Sequence, residues 1–179
     1  MIYLLRHGQT DWNKMGRMQG QTDIPLNQTG IETATCSAKD ILTAGIIRII
    51  SSDLTRAKQT AEIINSYLNV PLNTDKRLRE ISYGEIEGKL KTDISDQTWH
   101  LFNENPSKIK AESFEEIYAR VKSFFESIEN EDNVLIVTHA GFIRMALYFL
   151  KNKSAFNVED YKKTYRDLKI PNTTLIPWI

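Results

Sequence analysis

Three short apolar runs constrain this chain more than any other feature: Ile2 to Leu5, Ile46 to Ile50 and Val134 to Val137. Each is rich in β-branched residues and is bounded by polar or turn residues. Apolar side chains on consecutive positions of an extended segment must be buried on both faces, the situation of strands in a parallel sheet. Between the runs the apolar period becomes helical. Ser113-Phe114-Glu115-Glu116 forms a capping box, and Phe114, Ile117, Tyr118, Val121, Phe125 and Ile128 then fall on one stripe. Ala57, Ala61, Ile64 and Leu68 make a similar stripe after Ser51-Ser52-Asp53, a predicted N-cap cluster. Thr29-Gly30-Ile31-Glu32 reads as another capping box, with its helix running to about Thr43. Strand and helix alternate, which predicts a three-layer α/β/α sandwich with a mainly parallel sheet and helices on both faces. Thr173 to Ile179 reads as a late strand, and Pro171 and Pro177 push it towards a sheet edge.

The 179 residues, 41% of them hydrophobic, predict one domain spanning 1–179, large enough to build its core without disulfides or a structural metal. The single cysteine, Cys36, excludes an internal disulfide and reads as structural. Lys and Arg number 23, as do Asp and Glu, so no net positive charge draws the chain to nucleic acid. The chain reaches Arg6 at once, without room for a leader's long apolar stretch, and the expectation is a cytoplasmic protein. Phe142 to Leu150, interrupted by Arg144, is about half the roughly 20 residues of a membrane span and reads as a buried helix. No membrane partner is expected. Residues 85–110 fit the alternation worst; they read as an excursion over the sheet's end, a lid or specificity element, with Trp99, Leu101 and Phe102 as its apolar patch.

Two of the three histidines follow buried strands directly, His7 after β-type Ile2 to Arg6 and His139 after Val134 to Thr138. Carboxyl ends of strands are where open parallel sheets bind ligands. Arg6-His7-Gly8-Gln9-Thr10 adds a planar cationic fork suited to phosphate and a glycine that allows close backbone approach. Average residue usage puts a chance Arg-His-Gly in roughly one chain in a hundred of this length, so the triplet alone decides nothing. It is joined by Ser52-Asp53-Leu54-Thr55-Arg56-Ala57, by Leu78-Arg79-Glu80 with Tyr83-Gly84 and Glu87-Gly88, and by Thr138-His139-Ala140-Gly141.

These four segments, in this order, resemble the histidine phosphatase superfamily in its phosphoglycerate mutase-like branch. The resemblance covers nearly the whole chain and implies the fold of that branch. It implies that His7 is the nucleophile that becomes phosphorylated, that Arg6, Arg56 and His139 complete the phosphate pocket, and that Glu80 is the proton donor. Asn13 matches a position that hydrogen-bonds the phosphate, Gln19 and Gly20 fall where the family contacts substrate, and Thr10 is expected at the pocket edge.

The residue types suit that chemistry. Two guanidinium groups disfavour a further positive charge, which keeps an imidazole neutral and nucleophilic. The same groups meet charge on the equatorial oxygens during phosphoryl transfer. A carboxylic acid beside a bound dianion holds its proton more tightly and so can protonate a leaving alkoxide. Glu85 and Glu87 compete locally for that role. His100 matches no motif, no metal-binding spacing is present, and neither metal nor cofactor is expected.

Glu80 is followed by Ile81 and Ser82 rather than by the basic groups with which the mutases hold a substrate carboxylate, and the chain is short. The resemblance therefore leans towards a phosphatase of the small bacterial type, such as the α-ribazole phosphatases or broad-specificity enzymes, acting on a small phosphorylated metabolite. A cofactor-dependent phosphoglycerate mutase and a non-catalytic phospho-ligand binder are the alternatives. Lys89, Lys91, Lys108 and Lys110 read as solvated lysines rather than as a face for a second anionic group. Oligomeric state stays open.

Overall fold

The computed structural model describes residues 1–152 and 156–178. Five strands, β1 (Ile2–Arg6), β2 (Arg48–Ser51), β3 (Leu72–Thr74), β4 (Val134–Thr138) and β5 (Leu175–Trp178), form one sheet in the order β3-β2-β4-β1-β5. The first four run parallel, and β5 lies antiparallel to β1 at the edge. Ile179, the last residue of the predicted late strand, lies outside the described residues. Consecutive strand residues face opposite sides, so each run splits between two cores. Leu5, Ile49, Leu135 and Val137 pack under α2 (Gln28–Ile41) and α3 (Thr55–Leu68). Leu4, Ile50, Val134 and Ile136 pack on the other side, under α5 (Phe114–Ser127) and α6 (Ala140–Lys151). This is the expected three-layer sandwich.

Local starts differ from the sequence reading where a distant group supplies the cap. α5 has the predicted box, Ser113 with Glu116. α2 is capped by Asn27 instead of Thr29: the Asn27 side chain accepts from Gly30 N–H, and Glu32 turns to Gln28. α3 has no cap from Ser51, Ser52 or Asp53. Asp23, from the loop before α2, accepts from the Thr55 N–H at 2.7 Å and from its hydroxyl. β2 begins two residues later than Ile46 because Ile47 faces solvent at 60% exposure. β3 and the short helices α1 (Asp11–Met15), α4 (Asp96–Glu104) and α7 (Val158–Thr164) have too little periodicity to be read from the sequence.

Residues 85–110 fold as three short 3-10 turns and α4. They dock through Phe102, which is buried against Tyr83, Trp99 and Phe114. Cys36 is exposed on α2 and so is not a core residue, contrary to the structural role expected for it. His100 is exposed on α4. Among the described residues no helix is long and apolar enough to cross a membrane.

Candidate active site

Strand register brings together two histidines far apart in the sequence. Arg6 of β1 pairs with Thr138 of β4, so His7 and His139 leave the sheet side by side, with ring centroids 5.1 Å apart. Ser51 of β2 pairs with Val137, which delivers Ser52 and then Arg56, in the first turn of α3, to the same place. All ten buried polar or charged side chains among the described residues, from His7 to His139, belong to this corner or the loops that line it.

The two imidazoles are buried and carry opposite protons. His7 Nδ1 lies 2.6 Å from the Gly8 carbonyl oxygen. A carbonyl only accepts, so Nδ1 is protonated and the lone pair sits on Nε2. At His139 the Arg56 Nε–H donates to Nδ1 at 3.2 Å, which leaves the proton on Nε2, 2.9 Å from Ser52 Oγ. Burial first, then the Arg56 and Arg6 guanidiniums, hold His7 well below the ordinary histidine range. Burial, Arg56 and His7 do the same to His139. Both rings are therefore neutral at neutral pH.

Arg56 is fully buried, and burial lowers it to about 10, which leaves it charged. It donates to the Thr22 and Gly20 carbonyl oxygens at 2.8 and 2.7 Å. Gly20 is needed there: its φ is +52°, and a Cβ would stand 2.0 Å from the Glu87 carboxylate. Arg6 donates from Nη1 to the Ile170 carbonyl oxygen. Its Nε is buried with no partner among the described residues.

The three candidate carboxylates separate cleanly. Glu87 is consumed as an anchor, accepting from the N–H groups of Gln21, Thr22 and Tyr83 at 2.9 to 3.0 Å. Glu85 faces solvent and pairs with Lys110 at 3.3 Å. Glu80 alone borders the cleft, its oxygens held by the N–H groups of Ile81 and Gly141 at 2.9 and 3.2 Å.

Asn13, Gln19 and Gly20 line the cleft with His7, Arg6, Arg56 and Glu80, in a volume of about 130 Å³. Thr10 does not, in contrast to its expected place at the edge. It is fully buried as the N-cap of α1, accepting from Asn13 N–H and donating to Gln19 Oε1 at 2.9 Å, and so it sets the direction of two cleft residues. His139 lies behind the cleft surface, in contact with Arg56. A larger groove of about 540 Å³, between Met1, Phe125 and Trp178, sits at the opposite end of the sheet and contains no histidine.

Four cleft or loop residues escaped the sequence reading as site residues. Asn172 donates from Nδ2 to the carbonyl oxygens of His7 and Gly8, at 2.8 and 3.1 Å, and so clamps the loop after β1 from the segment before β5. Pro171-Asn172-Thr173 carries only a turn signal. Arg17 and Arg144 reach the cleft from a loop and from α6, outside every recognised motif. Of the four lysines read as solvated, Lys91 alone lines the cleft. The loop that carries His7 is seated on α2, where Gly30 packs so closely that a Cβ would lie 2.1 Å from the Gln9 carbonyl oxygen.

Fold and site together define an α/β protein with paired neutral histidines set between arginines at the carboxyl ends of its parallel strands. The chain belongs to the histidine phosphatase superfamily (branch 1), whose sequence profile matches residues 2–174. Among curated proteins, the probable phosphoglycerate mutase GpmB of Yersinia pestis (strain Pestoides F) is 47% identical over 88 residues, 49% of this chain and 41% of that protein. The GpmB of Proteus mirabilis (strain HI4320) is 49% identical over 86 residues, 48% of this chain and 40% of its own. The matches thus span less than half of these relatives. Solved structures match more of the chain. A mycobacterial glucosyl-3-phosphoglycerate phosphatase, in complex with VO3, is 26% identical with a TM-score of 0.84 over 97% of this chain and 88% of its own. YhfR of Bacillus stearothermophilus is 32% identical with a TM-score of 0.74, over 84% of this chain and 79% of its own. The family's enzymes to which the chain is similar are thus phosphatases and probable mutases.

Proposed function

We propose that the protein hydrolyses a small phosphomonoester through a phosphohistidine at His7. The observation that carries this reading is the state of the His7 ring: buried, neutral, flanked by Arg56 and Arg6, with Nδ1 tied to the Gly8 carbonyl and Nε2 left as the free lone pair. Nε2 attacks phosphorus, the bond from phosphorus to the alcohol oxygen breaks, and that oxygen takes a proton from Glu80. The Gly8 carbonyl then meets the positive charge that appears on the ring. Water attacks the phosphoryl group, gives one proton back to Glu80, and breaks the N–P bond to release inorganic phosphate.

Arg6 and Arg56 meet the equatorial oxygens, His139 orients Arg56 from behind the cleft, and Asn13, Gln19 and Gly20 shape the cleft around the ester. The buried Arg6 Nε is one such donor. A buried donor left unpaired costs about 1–3 kcal/mol, which a bound oxyanion removes. Residues 85–110 border the alcohol end and act as the specificity element.

A phosphoglycerate mutase is the second reading, favoured by the names of the curated relatives. The phosphatase reading is supported by Ile81 and Ser82 after Glu80, and by the phosphatase of similar structure that covers nearly the whole chain. The test is phosphate release from a panel of phosphomonoesters with a chelator present and a His7→Ala variant alongside. Release that survives the chelator and vanishes in the variant is expected. Isomerisation of a phosphoglycerate in the presence of a bisphosphorylated primer, without hydrolysis of any ester, would establish the mutase instead.

A further inference from the structure

Residues 79–83, which carry Glu80, form no helix or strand of their own. Side chains from other elements hold their backbone instead. The consecutive carbonyl oxygens from Arg77 to Glu80 all accept from such groups. Arg120 Nη1 donates to the Arg77 and Arg79 carbonyls, both at 2.7 Å, and Nη2 reaches the Glu80 carbonyl at 3.4 Å. The Thr138 hydroxyl donates to the Leu78 carbonyl at 2.7 Å, and Gln21 Nε2 shares the Glu80 carbonyl at 3.1 Å.

Arg120, on α5, is itself fixed by Glu112. Its Nε–H and Nη2–H donate side by side to the two Glu112 carboxylate oxygens, at 2.9 and 2.8 Å. Glu112 Oε2 also accepts from the Ser82 N–H at 3.1 Å, and the Glu112 N–H donates to the Ser82 carbonyl at 2.9 Å. The pair thus grips the Glu80 segment at both ends, Arg77 and Ser82, and closes the base of the 85–110 excursion. Its side chains are only 16% and 14% exposed, whereas Lys58–Glu62 and Lys122–Glu126 are more than half exposed and 3.8 and 3.7 Å apart. Exposed pairs of that kind contribute little. A guanidinium has five N–H groups, and in Arg120 each has a protein acceptor. Arg120 is also absent from the cleft lining, so it acts on backbone and not on a ligand.

The backbone needs this support because the fit at Glu80 is tight. A Cβ on Gly141 would stand 2.3 Å from Glu80 Oε1, which leaves the carboxyl one narrow slot between the Ile81 and Gly141 N–H groups. A displacement of about 1 Å at a reacting group can cost about 100-fold in rate. Building on the phosphatase reading above, in which Glu80 protonates the leaving oxygen, we propose that Arg120 and Glu112 are a positioning pair for that step. They fix the backbone of residues 77–82 and, through it, the direction of the Glu80 carboxyl.

The test compares two esters of similar size. Benzyl phosphate has an alkoxide that leaves only with a proton, whereas the phenolate of p-nitrophenyl phosphate leaves without one. Arg120→Lys keeps the charge but loses the planar fork. It should lower kcat/KM for benzyl phosphate about 10- to 100-fold and for p-nitrophenyl phosphate less than about threefold. The double variant Glu112→Leu/Arg120→Met leaves no lone charge buried, which protects folding, and should show the same selective loss. In a Glu80→Gln background neither change should slow benzyl phosphate further, because the group they act through is gone. Equal slowing of both esters, or a full additional loss in Glu80→Gln, would overturn the positioning pair while leaving the phosphatase reading intact. Hydrolysis of neither ester by the native protein counts against that reading instead. The pair is then decided by NMR of the Ile81 and Gly141 amide protons, which the Glu80 carboxylate bonds. Movement of both resonances in Arg120→Lys, in the direction they take in Glu80→Gln, supports the pair, and unmoved resonances overturn it.

Discussion

Beneath α5 and α6, Phe124, Phe125, Phe142 and Phe149 pack ring against ring with centroids 5.4 to 6.4 Å apart. At the carboxyl ends of β1, β2 and β4 an equally buried volume is filled by His7, Ser52, Arg56, Thr138 and His139. The first region is held by removal of apolar surface from water, which is non-directional and adds to stability. The second is held by directed bonds around a buried guanidinium with no carboxylate, an arrangement that costs stability. What it gains is a prepared site: two neutral rings, oriented donors and an anion-shaped excess of charge. The aromatic region holds the fold together, and the polar corner draws on that stability.

That contrast can be broken by changing each region separately. The largest expected effect on stability is in the aromatic region. Phe125→Ala should cost about 3–5 kcal/mol in denaturant unfolding, because the ring stacks on Phe142 and Phe149 and meets Trp178 edge-on. Its kcat, measured well below the unfolding transition, should match the native protein. A large loss of kcat in a folded Phe125→Ala protein would mean that the two regions are not separable.

The polar corner should show itself through pH. Folded His7 and His139 both sit below the ordinary histidine value, while the unfolded chain takes up protons on both as pH falls through about 6.5. Stability contributed by the neutral rings is therefore complete above that value and lost below it. The slope should reach about 2.7 kcal/mol per pH unit for two protons, and His139→Asn should bring it to about half. Urea titrations between pH 7 and pH 5 measure this directly. A histidine contribution that is flat across the window would contradict the neutral pair.

The smallest expected effect comes from Asn172. Asn172→Leu removes the clamp on the His7 and Gly8 carbonyls. It should lower kcat about fivefold with KM nearly unchanged, since a typical lost hydrogen bond is worth about 1 kcal/mol. Nitrogen NMR of the His7 ring should show a loosened preference for the Nδ1–H tautomer. A residue that merely stiffened the loop would leave that tautomer preference in place.

Legibility in the sequence followed the range of the interactions. β1, β2 and β4 announced themselves through consecutive apolar residues, and Arg6-His7-Gly8 and Thr138-His139-Ala140 were readable because strand end and site are the same few residues. The pairing of His7 with His139 was implied by two strand ends and made real by register. What stayed hidden depends on groups brought in from elsewhere. The cap of α3 comes from Asp23, the clamp on His7 from a residue 165 positions away, and Thr10 was turned inward by Asn13 and Gln19. Among Glu80, Glu85 and Glu87, only the fold shows that Glu80 borders the cleft while Glu87 is held by three backbone N–H groups and Glu85 pairs with Lys110. Lys91 belongs to an excursion whose path has no periodic signal, so nothing in the sequence set it apart from Lys89, Lys108 and Lys110.

The central claim is that His7 Nε2 receives the phosphoryl group. Rapid quenching of the protein during turnover of p-nitrophenyl phosphate, followed by peptide mapping and phosphorus NMR, tests it most directly. The account predicts an acid-labile, base-stable phosphoryl group on His7, bonded through Nε2 and absent from His7→Ala. Turnover with no phosphoenzyme under any quench condition, or a phosphoryl group on another residue, would contradict it.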